Sequence, residues 1–116
     1  MPRLQPQDPV AVGEALARVE RSKADLRLLT KHFLARLAER APGKSVEVRV
    51  PPYAATQVVE GVRHTRGTPP AVIELDAPTW IALATGETTW AVAFGEGRIR
   101  ASGERADLTP YLPLTT

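Results

Sequence analysis

The apolar residues of this chain change their period near residue 43, and that change excludes a fold built from one kind of element. Val12, Leu16, Val19, Leu26, Phe33 and Leu37 are spaced four, three, seven, seven and four apart. This places them on one face of a helix that can run to Arg40, with Lys23 and Thr30 at the skipped positions of the seam. Asp8-Pro9 supplies a capping residue ahead of a proline at the first helical position. Ser22 and Asp25 also form an S-x-x-D capping box, so the stripe is compatible with one long helix or with two. Ala41-Pro42-Gly43 ends it. Val46-Glu47-Val48-Arg49-Val50 then alternates apolar and charged residues, the pattern of a half-buried strand, and Pro51-Pro52 stops that strand because proline has no ladder donor.

Further strands are expected over Tyr53–Glu60 and Ala71–Asp76, and short links make antiparallel neighbours the expectation among these first strands. Asp76 can cap a helix carrying Trp80, Ile81, Leu83 and Ala84 that ends at Gly86. Thr88 or Thr89 can cap another around Trp90, Val92 and Phe94. Arg98–Ser102 alternates as a strand, and a last short helix is expected over Arg105–Leu112. The fold class is therefore α+β, a sheet with helices gathered on one face. Residues 1–7 read as a flexible tail and 8–116 as a single domain, the size expected of a chain of 116 residues.

Composition narrows the chemistry. There is no cysteine, hence no disulfide and no thiolate, which suits a reducing cytoplasm. No apolar run approaches the roughly 20 residues needed to cross a bilayer, so stable membrane insertion is not expected. Residues 1–45 carry nine Lys/Arg against five Asp/Glu, and residues 46–116 carry six against eight. The basic charges are interspersed with acidic ones, as on the solvated face of a helix. With two Trp, two Tyr and two Phe there is no aromatic-studded basic stripe, so nucleic acid is not an expected partner.

No catalytic constellation stands out. His32 and His64 are the two histidines, and no carboxylates sit beside them at ligand spacing, so neither a metal nor another cofactor is expected. His32 lies one position off the helical stripe and reads as a flank or surface residue. Ser102 sits in Ala-Ser-Gly, which is not a nucleophile elbow. The segment Gly61-Val62-Arg63-His64-Thr65-Arg66-Gly67-Thr68-Pro69-Pro70 looks least like packing. Arg63, His64 and Arg66 beside Gly67 form a candidate anion-binding loop. A stiff turn in which an arginine pairs with Glu60 or Glu74 explains the same residues. Trp80, Leu83, Trp90 and Phe94 cluster on two consecutive short helices and either fill a core or line an apolar pocket.

The run Asp76–Gly86, the following short helix and Gly97-Arg98-Ile99-Arg100-Ala101-Ser102-Gly103 resemble the sterol carrier protein fold. Val48-Arg49-Val50-Pro51-Pro52-Tyr53 and His64–Pro70 bring Val46–Leu114 closer to an actinobacterial branch, the bacterial sterol carrier orthologues. The resemblance implies an antiparallel sheet covered by helices and an apolar tunnel that holds a lipid, acyl chain or sterol without chemistry. It implies a non-enzymatic carrier with an apolar small molecule or acyl lipid as partner. No ligand residue carries over from the family one by one, and the Trp80, Leu83, Trp90 and Phe94 cluster supplies the candidate ligand-binding residues. Similar folds close the C-terminus of mycothiol-dependent enzymes, so an accessory module using the His64/Arg66 loop, serving a thiol-dependent enzyme, is the alternative. The N-terminal seam also permits a homodimer.

Overall fold

In a computed structural model, residues 3–61, 71–103 and 106–115 are described. Two N-terminal helices come first, α1 over Pro9–Ala17 and α2 over Lys23–Arg40. The break between them follows from local chemistry. Ser22 Oγ accepts from the Asp25 N–H while the Asp25 carboxylate accepts from the Ser22 N–H, so a new helix starts there. The same carboxylate takes Arg18 Nη1 at 2.5 Å, and Arg21 donates to the Ala15 and Leu16 carbonyls at the end of α1. Backbone donation from Ser22, helped by the Arg18 charge, holds the Asp25 carboxyl below its ordinary pKa against the opposing effect of burial. Val19 falls in this break and is fully exposed, so the apolar stripe is interrupted there.

Four strands follow: β1 (Val46–Val50), β2 (Ala54–Val58), β3 (Ala71–Leu75) and β4 (Ile99–Ser102), in the order β2-β1-β3-β4. β1 and β2 form the expected hairpin, with Val48 opposite Thr56. The β1–β3 pair, however, is parallel, with Val48 opposite Ile73, which corrects the expectation of antiparallel neighbours throughout. The sheet is mixed because the chain leaving β2 does not fold back beside it. It crosses the start of β1 and enters β3 on the far side, as the Ala71 N–H bond to the Ser45 carbonyl (3.1 Å) records. The long connection is thus a crossover and not a hairpin loop.

Gly43 lets the chain leaving β2 pack closely against the segment after α2. Its φ is +151°, and a methyl group there would collide with the Val59 carbonyl. Ser45 then donates its N–H (3.0 Å) and hydroxyl (2.6 Å) to that same carbonyl.

Between β3 and β4 lie α3 (Ala77–Thr85) and α4 (Trp90–Gly95), capped by Asp76 and Thr89, and α3 ends on the left-handed Gly86. The expected C-terminal helix is only a 3-10 turn, Thr109–Tyr111, since Pro110 and Pro113 withhold the donors a longer helix requires. This segment is nevertheless anchored. Arg40 Nη1 donates to the Tyr111 and Pro113 carbonyls, and Leu114 N–H to the Ala84 carbonyl at 2.8 Å.

One apolar core joins the helices to one face of the sheet. Leu29, Phe33, Leu34 and Leu37 of α2 meet Val46, Val48, Val50, Val58, Ile73 and Leu75 of the strands and Trp80, Ile81 and Leu83 of α3. Each large side chain so buried is worth about 1.5–3 kcal/mol. The alternate strand residues, among them Glu47, Arg49, Gln57 and Arg100, face away from this core and remain at least partly exposed. The architecture is α+β with the helices on one side, as the periodicity requires. Ahead of α1, Leu4 packs partly against the core, and the Gln7 N–H donates to His32 Nδ1 at 3.0 Å.

Candidate functional site

The four residues proposed from sequence as an apolar site lie on α3 and α4, and their environments differ. The Asp76 side chain accepts from the Thr79 N–H at 2.8 Å and fixes the start of α3. From there Trp80 and Leu83 point into the core and are essentially inaccessible. The Trp80 indole N–H reaches the Thr30 carbonyl at 3.4 Å, tying α3 to α2 within the apolar interior. Arg98 Nε donates to Thr79 Oγ1 at 3.1 Å, so the buried Thr79 hydroxyl is satisfied and the start of β4 is held against α3.

On α4 the picture changes. Trp90 is 8% exposed, while Phe94, four residues on, is 51% exposed. Their rings stack with centroids 6.5 Å apart and planes 21° apart. Val92 is as exposed as Phe94. Phe94 therefore does not fill the core, one of the two roles its clustering allows. The geometry has a simple cause: in a helix of six residues capped by the Thr89 hydroxyl, Trp90 and Ala93 take the inward direction. Phe94 is left at the boundary, flat against Trp90 and open to solvent. Together Trp80, Leu83, Trp90 and Phe94 run from filled core to exposed ledge.

Two surface clefts among the described residues stand out, and neither is lined by these residues. The larger, of about 500 Å³, lies between Arg3, the C-terminal end of α2 with Pro42–Lys44, and strand residues Glu47 and Ala55–Gln57. The smaller, about 210 Å³, is a depression on the outer face of β3 and β4, beside Glu74 and Arg100. The larger cleft left no signal in the sequence, since its walls come from five separated stretches of small, polar and proline residues.

The anion-binding candidates Arg63, His64 and Arg66 lie outside the described residues. What is described is the frame of their loop, whose two ends leave from either side of Ser45 through Val59 and Ala71. The other histidine, His32, is partly buried with its ring edge-to-face on Phe33. Burial lowers its pKa, Arg36 adds to that effect and Glu39 opposes it. Among the described residues no group of three or more His, Cys, Asp or Glu side chains could hold a metal ion, and no helix is long and apolar enough to cross a membrane.

Compared with known proteins, residues 22–114 match the model of the family described as bacterial SCP ortholog. The match begins at the N-cap of α2 and takes in the sheet, α3, α4 and the anchored C-terminal segment. No curated protein matches the chain.

Proposed function

Because this chain belongs to the bacterial SCP ortholog family, we propose that it is a cytoplasmic carrier that binds an apolar small molecule or acyl lipid without altering it. The observation that supports this reading most is the Trp90–Phe94 stack, an aromatic pair half in solvent on a helix of only six residues. A helix that short has little stability of its own and depends on what it packs against. Trp90 and Ala93 are its buried anchors, with the Arg98 N–H bond to the Ala93 carbonyl at 3.0 Å. Trp80 and Leu83 are buried in the filled core, so in this reading the ligand enters by displacing α4. Its apolar surface then replaces the contacts of Trp90 and covers Phe94 and Val92, gaining about 25 cal/mol for each Å² removed from water. Trp80 and Leu83 become the floor of the opened site.

Extraction of the purified protein followed by native mass spectrometry, together with displacement of a fluorescent fatty acid, tests this. The expected result is a bound lipid and saturable displacement. Absence of both contradicts carriage.

A second reading, an accessory module that receives an anionic group or partner at the His64/Arg66 loop, is favoured by the firm anchorage of that loop's ends at Ser45. Arg66→Ala is expected to weaken anion or partner binding while leaving the melting temperature unchanged. The opposite pattern, lower stability with binding intact, makes the loop a structural turn.

A further inference from the structure

One edge of the sheet, formed by β2, opens into the 500 Å³ cleft, and among the described residues half of the main-chain groups of β2 have no partner strand. Which half follows from the parallel pair. The Ser45 carbonyl accepts from Ala71 and the Val50 carbonyl accepts from Tyr53 in the hairpin turn, so Glu47 and Arg49 direct their backbone groups toward β3, while Ser45, just ahead of the strand, sends its carbonyl to β3 and its N–H to Val59. Val46, Val48 and Val50 therefore serve Val58, Thr56 and Ala54 of β2, leaving the N–H and C=O of Ala55 and Gln57 directed outward. Past the end of β2, Val59 divides its groups: its N–H goes outward to the Ala41 carbonyl at 2.7 Å, while its carbonyl turns back to Ser45. Ala55 and Gln57 both line the cleft.

Edge strands are usually guarded by charge, proline or a covering element. β2 reads Ala54-Ala55-Thr56-Gln57-Val58, without a charge or a proline, and its first four residues are all at least partly exposed. Arg3 and Lys44 stand in the cleft wall, and neither is ion-paired among the described residues, whereas Glu47 is already engaged by Arg49. Ala38 and Pro42 provide apolar surface between them. We propose that this cleft receives an extended acidic peptide segment of another protein, which adds to β2 as a fifth strand. Its main chain pairs with Ala55 and Gln57, its carboxylates meet Arg3 and Lys44, and alternate apolar side chains rest on Ala38 and Pro42. This site is separate from the α4 ledge, and lipid binding bears on it in neither direction.

The test uses a fluorescein-labelled, acetylated and amidated hexapeptide alternating aspartate and valine, with an asparagine-for-aspartate counterpart, read by fluorescence anisotropy on the full chain. The expected result is saturable binding of the acidic peptide that weakens at least tenfold with the asparagine peptide and falls as salt is raised. Ala55→Pro removes an outward N–H without touching the β1 ladder and is expected to weaken binding at least tenfold. Lys44→Glu, an exposed change that does not depend on strand geometry, is expected to weaken it at least fivefold and decides the matter if Ala55→Pro fails to fold. No binding of the acidic peptide, equal binding of the two peptides, or a folded Ala55→Pro variant that binds as the parent does overturns the proposal. So does a dimer seen by sedimentation that Ala55→Pro abolishes, which assigns the edge to a second copy of this chain.

Discussion

The two helices between β3 and β4 are built from similar material and put to different use. α3 has nine residues, three of them the large apolar Trp80, Ile81 and Leu83, and it turns its apolar side chains into a core closed by α2 and the sheet. α4 has six residues with Trp90, Val92 and Phe94, and leaves two of the three about half exposed. Both start on a side-chain cap, so initiation does not separate them. What separates them is tertiary support. α3 packs against α2 and is bonded to it through the Trp80 indole and to the C-terminal segment through the Ala84 carbonyl. α4 lies at the rim, held by Trp90 and Ala93. The comparison teaches that aromatic content alone does not identify a ligand site. An aromatic residue on a well-supported helix is core, and one on a weakly supported helix is available to something else.

Truncating one aromatic side chain on each helix gives the largest expected contrast between them. Trp80→Ala leaves a large void in a packed interior and is expected to cost about 3–5 kcal/mol in urea unfolding. Phe94→Ala should cost about 1 kcal/mol or less, because half of that ring is already in water. Equal losses would mean that α4 is as much a part of the core as α3. Next in size is Gly43→Ala, at the crossing that makes the sheet mixed. A positive φ and a collision with the Val59 carbonyl should together cost about 1–3 kcal/mol.

Ser22→Ala removes the cap that divides the N-terminal stripe and should lower stability by about 1 kcal/mol, measured by thermal or urea unfolding. A loss near zero would show that α2 is positioned by its packing alone. The smallest effect expected is a pH dependence at His32. Its folded-state pKa lies below the ordinary 6.5, so the unfolded chain binds the proton more readily. The stabilisation is complete above the unfolded value and is lost as the pH falls through the folded one. The Gln7 N–H bond to Nδ1 requires the unprotonated nitrogen and disappears with it. His32→Gln should flatten this part of the stability–pH curve, and an unchanged curve assigns the dependence to another group.

The fold was largely legible in the residues. Caps at Asp8, Ser22, Asp76 and Thr89 and stops at Gly43 and Gly86 mark helix boundaries through short-range chemistry that a sequence carries openly. Strand direction was not legible. Whether β3 lies beside β2 or crosses to the far side of β1 depends on the Gly43 and Ser45 contacts with Val59, which join residues some 15 positions apart. The C-terminal segment reads as a helix because its apolar spacing is helical, and its prolines reduce it to a 3-10 turn. At the site, the four apolar residues could be named from their clustering, yet their split into core and ledge follows from what packs behind each helix. The edge cleft was invisible, because backbone groups of Ala55 and Gln57 have no side-chain signature.

Carriage of an apolar ligand at α4 is tested most directly by titrating a fluorescent fatty acid into the parent protein and Phe94→Ala, with unfolding followed on the same two samples. The account predicts saturable 1:1 binding by the parent, at least tenfold weaker binding by Phe94→Ala, and nearly coincident unfolding curves. No binding by the parent, or binding indifferent to the loss of the Phe94 ring, contradicts it.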